Sequence, residues 1–458
     1  GIEDADVVLL NTCSVREKAE QKLRSEVGRL GIVKRRRGEL FIGVCGCVAQ
    51  QEGEALLKHV PELDLVLGPD NIPELPELLR QLQLGGPPRA VTGFDLQQPR
   101  FLSARPVAGQ QAPSAFVTVM KGCDERCTYC IVPTTRGPER YRPSEEILTE
   151  IEQLASAGVR EVTLLGQTVN SYRDPSGALP AAPGAGHSPW RETHPSRLHE
   201  DESEFAALLR RIAERVPSLA RLRYTSPHPR HLTYSLIRAH AELPQLVRHV
   251  HLPVQSGSDA VLRRMVRRYS VAEYLERVTA LRDAVSGGVT LSTDMIVGFP
   301  GETDQDFLGT LDLVREVGFT GLFGFKYSPR PGTPALRLGD DVPEETKSQR
   351  LTELFEVSGA LRKQHLDGMV GSTQGVLIEG FGEDGRLQGR SERNEIVHVE
   401  GPRELIGQLV ELRIVEAHNN SLTGTLPGWV APAADTAPRR HGLPVLPSQG
   451  RLHGTEPA

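Results

Sequence analysis

Three cysteines, Cys123, Cys127 and Cys130, stand at C-x3-C-x2-C spacing in the stretch FVTVMKGCDERCTYCIVPTTRGPERYR, residues 116–142. Thiolates brought this close by a short loop can hold three irons of a [4Fe–4S] cube and leave the fourth iron without a protein ligand. An open position on a metal centre is where a substrate or cofactor binds, as at a catalytic zinc. Three other readings compete. A structural zinc site wants four ligands, yet no second cysteine pair or nearby histidine follows Cys130. Plain core cysteines have no reason to keep this spacing. A ferredoxin run would read C-x2-C-x2-C with a later fourth cysteine, and neither is present.

The elements that must position these residues are strands followed by helices. Residues 1–90 alternate between the two: apolar runs at Asp6–Leu10, Leu40–Val44 and Leu63–Leu67, and helical spacing at 16–30, 50–59 and 72–82. Such alternation implies a parallel sheet covered by helices, with its ligand-binding loops along one edge. Cys13 and Cys47 each follow a strand, so they should converge there despite lying 34 residues apart. They read either as a redox or ligand pair or as inert neighbours. Cys45 is the local alternative to Cys47, although strand geometry points it the other way. A Gly-Gly-Pro-Pro turn and a Gln/Pro-rich stretch make 91–114 a linker.

From 115 to 345 the alternation resumes, with strands expected near 116–121, 161–165, 221–225, 249–254, 290–297 and 321–327. Six strand–helix units suggest an open (β/α)6 barrel, smaller than the eightfold one, with its site at the strand ends. LLGQTVNSY, YTSPHP, LPVQSGSD, DMIVGFPGET and KYSPRPGTPA stand there. Most of this is explicable as turn chemistry, and Gln255–Ser258 and Gly298–Glu302 are the least turn-like. Residues 174–203 read as a disordered insertion whose His187, His194 and His199 are solvated. After a helix near 344–366, Gly-punctuated short strands suggest an OB-like all-β domain, placing helix and domain at 346–430. A Pro-rich tail, 431–458, reads as disordered.

Composition limits the classes of function. With 38% hydrophobic and 24% charged residues in 458, the chain reads as a soluble globular protein of several domains. No apolar run reaches membrane-span length, so no membrane partner is expected. The opening Gly-Ile-Glu-Asp is neither a signal peptide nor a natural start, which predicts a further segment upstream. Six cysteines in this length do not make a disulfide framework; they suit metal ligation in a reducing, cytoplasmic compartment. A net charge of −6 names no partner, so any nucleic-acid surface must be local.

With Tyr129 before its last cysteine, the triad resembles the radical S-adenosylmethionine signature. NTCSVREKAEQK, GCVAQQEG, VMKGCDERCTYCIVPTTRGPERYRPSEEI, LLGQTVNSY, TSPHP, HLPVQSGSD, STDMIVGFPGETDQDF and SPRPGTPA follow in family order. Together they make the chain similar to the tRNA methylthiotransferases of the MiaB family. The resemblance implies an N-terminal methylthiotransferase domain, a radical SAM half-barrel and a C-terminal TRAM domain. It implies two [4Fe–4S] clusters: Cys123, Cys127 and Cys130 at the one that binds S-adenosylmethionine, Cys13 and Cys47 at an auxiliary one. The family's first auxiliary cysteine falls upstream of residue 1, and Cys45 is not a ligand position. The implied reaction converts N6-isopentenyladenosine of tRNA, at position 37 beside the anticodon, to its 2-methylthio form. It draws electrons from a reductant such as flavodoxin or ferredoxin. Tyr129, Gln167, Gln255, Ser292 and Asp294 are the expected S-adenosylmethionine contacts, from their places at strand ends.

RNA contact is less legible. Residues 16–37 carry nine Lys/Arg against three Asp/Glu, which suits either phosphate or a solvated helix face. Residues 366–430 hold five Arg and ten Asp/Glu, so phosphate binding there needs Arg386, Arg390 and Arg393 on one face. The nearest rival is a sister methylthiotransferase acting on threonylcarbamoyladenosine or on a ribosomal-protein aspartate. YTSPHP and the CTYCIVPTTRG context favour the isopentenyladenosine branch. A non-enzymatic rival is an electron carrier or an iron–sulfur RNA-binding protein, for which polar loops at six strand ends have no use.

Overall fold

The computed structural model describes residues 2–13, 17–97, 99–103, 112–179 and 203–429. Residues up to Pro427 form one compact unit. Most of the expected 174–203 insertion, its three histidines and the 431–458 tail lie outside the described residues.

Four parallel strands, Val7–Thr12, Phe41–Gly46, Leu65–Leu67 and Arg89–Val91, pair in chain order in the N-terminal sheet. Period-two alternation splits their side chains. Ile42, Val44 and Val66 pack with Leu23, Val27 and Leu30 of helix Glu17–Arg37. Cys45, Leu65 and Leu67 pack with Leu78 and Leu82 of helix Leu75–Gln83 on the opposite face. The fourth strand corrects the linker reading: three residues are too few to show a period, and Arg89–Val91 extends past residue 90. The helix expected over 50–59 is two, Cys47–Glu52 and Glu54–His59, broken at Gly53 where φ is +51°.

The central part is the expected open barrel, built as two parallel three-stranded sheets. The first holds Ser114–Thr118, Glu161–Leu165 and Arg221–Tyr224; the second holds His249–His251, Thr290–Val297 and Gly321–Lys326. A single bridge, Leu222 to Leu246, joins them. Outward residues such as Val117, Val162, Leu164, Leu222, Val250 and Leu291 are fully buried under the surrounding helices. Each such side chain contributes about 1.5–3 kcal/mol. Those helices start on side-chain caps: Ser270 with Glu273, Thr303 with Asp306, and Ser258 on Val261. Helix Glu344–Met369 lies on strand Gly321–Lys326 and ends by giving Leu366 and Met369 to the core of the last domain.

That domain is a closed five-stranded barrel in the order Thr373–Phe381, Leu387–Ser391, Ile396–Val399, Leu422–Thr425, Leu409–Ala417. It docks under the half-barrel floor through two buried arginines that address main chain. Arg221 donates to the carbonyls of Arg390 (2.7 Å) and Gly375 (2.8 Å), and Arg223 to that of Ser391 (3.0 Å). Glu161 balances both charges, with Arg223 at 2.8 Å and Arg221 at 3.7 Å.

Candidate active site

The cysteine loop leaves strand Ser114–Thr118 and is closed by a short antiparallel pair, Met120–Lys121 with Arg140–Tyr141. Gly122 begins it at φ +80°, and a Cβ there would sit 1.9 Å from the Pro138 carbonyl oxygen. Only glycine fits both demands. Gly122 N–H donates to Gln167 Oε1 at 2.7 Å, Cys123 N–H to Gly137 O at 3.2 Å, and Cys123 Sγ meets Thr168 Oγ1 at 2.9 Å. Thr128 is held through its N–H by Met265 O and through its hydroxyl by Arg264 O. Arg267 reaches in from the following segment, its Nη1 3.4 Å from Cys127 Sγ, and is fixed by Pro253 O and Tyr269 Oη. Its neighbours Val266 and Arg268 both lie at φ +57°, a costly conformation for side-chain-bearing residues that gathers at functional sites.

The residues present fit a multi-iron cluster better than a single ion. Tetrahedral zinc would draw thiolates to about 3.8 Å from one another. The described residues contain one set whose ligand atoms all lie within 4.8 Å, and it is not the cysteine triad. The triad's sulfurs are nonetheless close enough to act on one another. Burial first, then Glu139 and Cys127, push the Cys123 thiol up to about 11; burial, then Cys127 and Cys123, push the Cys130 thiol up to about 12. Such thiols ionise on taking up cationic iron, releasing protons. Arg267, which can only donate, supplies the hydrogen bond a thiolate at Cys127 would accept.

Cys13 and Cys47 follow Thr12 and Gly46, which are register partners at the ends of adjacent strands. The sheet thus brings them to one edge. Cys45 lies one residue back and faces the apolar core with Leu65, Leu67, Leu78 and Leu82, where burial pushes its thiol up. That environment suits an inert side chain. Helix Val132–Arg136, directly after Cys130, packs on the helix that starts at Cys47, and Arg136 Nε donates to Cys47 Sγ at 3.3 Å. The two cysteine groups are therefore followed by helices that pack on each other, and Arg136, from the helix after Cys130, reaches Cys47.

A buried ionic joint holds these elements together. Asp70, in the turn after strand Leu65–Leu67, accepts from Arg140 and, at 3.1 Å, from Lys121, the two ends of the pair closing the cysteine loop. Burial alone would raise the Asp70 carboxyl, but Arg140 and Lys121 together hold it below its ordinary value. Burial holds the Lys121 ammonium below its own ordinary value. One carboxylate among Lys121, Arg136 and Arg140 leaves this joint net positive, which suits anionic clusters on either side.

The expected cofactor contacts divide into two groups. Gln167 pins Gly122 at the cysteine loop, and Tyr129 packs edge-on against Phe299 at 6.4 Å, backing the triad with apolar core. Ser292 and Asp294 face the lumen, where Ser292 Oγ meets His249 Nε2 (3.1 Å) and His251 Nδ1 (2.9 Å). His251 Nε2 lies 3.4 Å from Asp294. Burial holds His249 down at about 3, so it is neutral in this ladder. Gln255, at φ +78°, exchanges main-chain hydrogen bonds with Asp294 and Ile296 and so sets where strand Thr290–Val297 ends. The other two stretches singled out in the sequence are structural. Gly257 touches the backbone of helix Asp304–Val317, and Glu302 takes the Gly298 N–H and the Arg350 guanidinium.

Sequence reading missed Thr168, Arg136, Arg267 and the histidines of the lumen. Each is a single residue whose partner lies 40 or more positions away. It also missed Glu125, His228 and His231, the one set at single-ion spacing among the described residues. His228 Nδ1 accepts the Arg230 N–H, so the neutral ring carries its proton on Nε2 and offers no lone pair there. Burial first, then nearby arginines, hold His228 well below its usual range, and His231 pairs with Glu125 at 2.9 Å. The set reads as a brace on the cysteine loop.

The basic run is largely committed to its own domain: Lys34 pairs with Asp64, Arg35 with Glu62, and Arg37 with Asp6. Arg386 pairs with Asp384, Arg390 with Glu379, and Arg393 donates to Gly287 O. These three arginines do not form an unpaired cationic face.

Three family profiles match in order: Uncharacterized protein family UPF0004 over residues 1–68, the Radical SAM superfamily over 117–314, and the TRAM domain over 368–426. A curated tRNA-2-methylthio-N(6)-dimethylallyladenosine synthase of Sorangium cellulosum is 61% identical over 98% of this chain and 93% of its own length. The protein of that name from Ralstonia nicotianae is 44% identical over 92% and 89%. The solved radical S-adenosylmethionine methyltransferase TsrM of Kitasatospora setae superposes with a TM-score of 0.49 at 14% identity, over 82% of this chain and 68% of that one.

Proposed function

This chain belongs to the tRNA-2-methylthio-N(6)-dimethylallyladenosine synthase family, and from that membership we propose a division of labour among its own residues. The reaction is methylthiolation of N6-isopentenyladenosine in tRNA, at C2 of the adenine. Two [4Fe–4S] clusters and S-adenosylmethionine supply, when bound, reductive formation of a 5′-deoxyadenosyl radical, hydrogen abstraction at C2, a sulfur atom and a methyl group. An aromatic C–H carries no acidic proton, so residues placed for acid–base work would not suffice.

Cys123, Cys127 and Cys130 hold the cluster that binds S-adenosylmethionine, at the mouth of the lumen. Thr168 and Arg267 orient two of these sulfurs, and Gln167 fixes the loop's first peptide. Cys13 and Cys47 contribute to the auxiliary cluster, with Arg136 donating to Cys47. Ser292, His251 and Asp294 line the lumen wall, where they give a polar ligand fixed partners. The target base has to leave its stack to enter. A reductant such as flavodoxin or ferredoxin delivers the electrons. No described helix is long and apolar enough to cross a membrane, and a cytoplasmic site of action fits cysteines kept as ligands.

The observation that carries this reading is the 61% relative, coupled to the packing of the helix after Cys130 on the helix that starts at Cys47, with Arg136 donating to Cys47. The test is anaerobic turnover with prenylated tRNA, scoring 5′-deoxyadenosine and modified nucleoside by mass spectrometry. Cys123→Ala, Cys127→Ala or Cys130→Ala should abolish both products. Cys13→Ala or Cys47→Ala should keep 5′-deoxyadenosine and lose the methylthio group; loss of both would refute the division.

A further inference from the structure

The half-barrel lumen holds a cavity of about 800 Å³. Its described walls mix polar side chains, Thr163, Arg223, His249, His251 and Ser292 on the strands and Arg390 and Asn394 from the small barrel below, with apolar surface from Pro113, Ala115 and Tyr224. Two large apolar side chains stand out there by their exposure. Phe116 is 65% exposed and Phe323 52%, and both line the cavity. Their strands, Ser114–Thr118 and Gly321–Lys326, are the outer edges of the two sheets, so the two rings flank the seam where the barrel stays open. Phe323 is steadied edge-on by His251 at 5.8 Å. Phenyl rings exposed in such a chamber gain free energy when an apolar group covers them.

The charges say what kind of group. Arg223 is matched by Glu161 at 2.8 Å and Arg390 by Glu379 at 3.5 Å. Among the described residues lining the cavity, no arginine stands without a carboxylate, so an arm ending in a carboxylate would find no unmatched counter-ion. A neutral, branched hydrocarbon arm meets no such cost.

We propose that Phe116 and Phe323 clamp the dimethylallyl arm of the target adenosine and are the side chains by which this protein distinguishes prenylated from unprenylated tRNA. The proposal rests on prenylated tRNA being the substrate. It adds the place where the arm is read and the reason a charged arm is refused.

The test uses the cluster-loaded full chain and two anticodon stem-loop RNAs that differ only in the dimethylallyl group, with affinity read by fluorescence anisotropy. The intact protein should prefer the prenylated RNA by about tenfold to a hundredfold, the scale of discrimination available from a few methylenes. Phe116→Ala and Phe323→Ala should each remove most of that preference while leaving affinity for the bare RNA in place. Phe116→Leu and Phe323→Leu, which keep an apolar side chain, should restore part of it. Both phenylalanines are more than half exposed, so these variants should keep the parent's circular dichroism. Undiminished preference in the Ala variants would overturn the clamp. So would an equal loss for both RNAs, or a matching loss of S-adenosylmethionine binding, either of which assigns the rings another task. An intact protein that bound neither RNA would fail the substrate reading itself.

Discussion

Replacing Asp70 by Ala should separate the two halves of the chemistry without touching a cysteine. Asp70 and Arg140 are 6% and 7% exposed, and the Lys121 side chain 13%, so the substitution strands two buried cations. Removing one partner of a buried pair costs about 3–5 kcal/mol, mostly the uncompensated charge. At a urea slope of about 2 kcal/mol per molar, the unfolding midpoint of the N-terminal domain should fall by about 2 M. Arg140 and Lys121 are the two ends of the pair closing the cysteine loop, so the loop should also lose its fixed distance from Cys47. Uncoupling follows: 5′-deoxyadenosine formed per methylthio group should rise, as measured by mass spectrometry of both products. The pH dependence has a definite sign. The Asp70 carboxyl is held below its ordinary 3.8, so its contribution is present above that pH. It is lost as pH falls through the lower folded value, and parent and variant should converge there. A variant within about 0.5 kcal/mol of the parent at neutral pH, with an unchanged product ratio, would refute the joint.

Gly122→Ala places a methyl 1.9 Å from Pro138 O at φ +80°, adding about 1–3 kcal/mol of backbone strain to a clash; iron retained per chain should drop sharply at unchanged helix content, and full iron loading would count against the loop geometry. Cys45→Ala should cost about 1 kcal/mol in a melt and leave iron content unchanged, since its side chain packs among leucines; a loss of iron would make it a ligand after all. Arg267→Met removes a donor to Cys127 and should lower the potential of that cluster in a redox titration followed by electron paramagnetic resonance, because hydrogen bonds to sulfur raise it; an unmoved potential would leave Arg267 a packing residue.

Much of this molecule is legible in the chain itself because it rests on local repetition. The cysteine triad is a spacing, the six barrel strands are short segments carrying Val, Leu or Phe between helical stretches, and the closed appendix is a series of short Gly-punctuated strands. Even the docking arginines show in RLRY, where Arg221 and Arg223 alternate with Leu222 and Tyr224, as a strand with one polar face must. What escaped depends on chain closure. Asp70 and Arg140 are 70 residues apart, and nothing near either announces the other. Arg89–Val91 is too short to carry a period, and only its pairing with Leu65–Leu67 makes it a strand. Ser292 is expected from sequence as a cofactor contact, whereas its two histidine partners belong to a strand 41 and 43 positions earlier.

The joint under the half-barrel has a consequence for engineering. Arg221 and Arg223 read carbonyl oxygens of Gly375, Arg390 and Ser391, not their side chains. A main-chain carbonyl is supplied by every amino acid, so this attachment recognises a backbone path. A grafted β-barrel presenting the same three oxygens would meet this part of the socket whatever side chains carry them, but it would also have to replace the Arg393 side chain on Gly287 O, the Glu392 carboxylate beside Arg248 and the core that receives Leu366 and Met369.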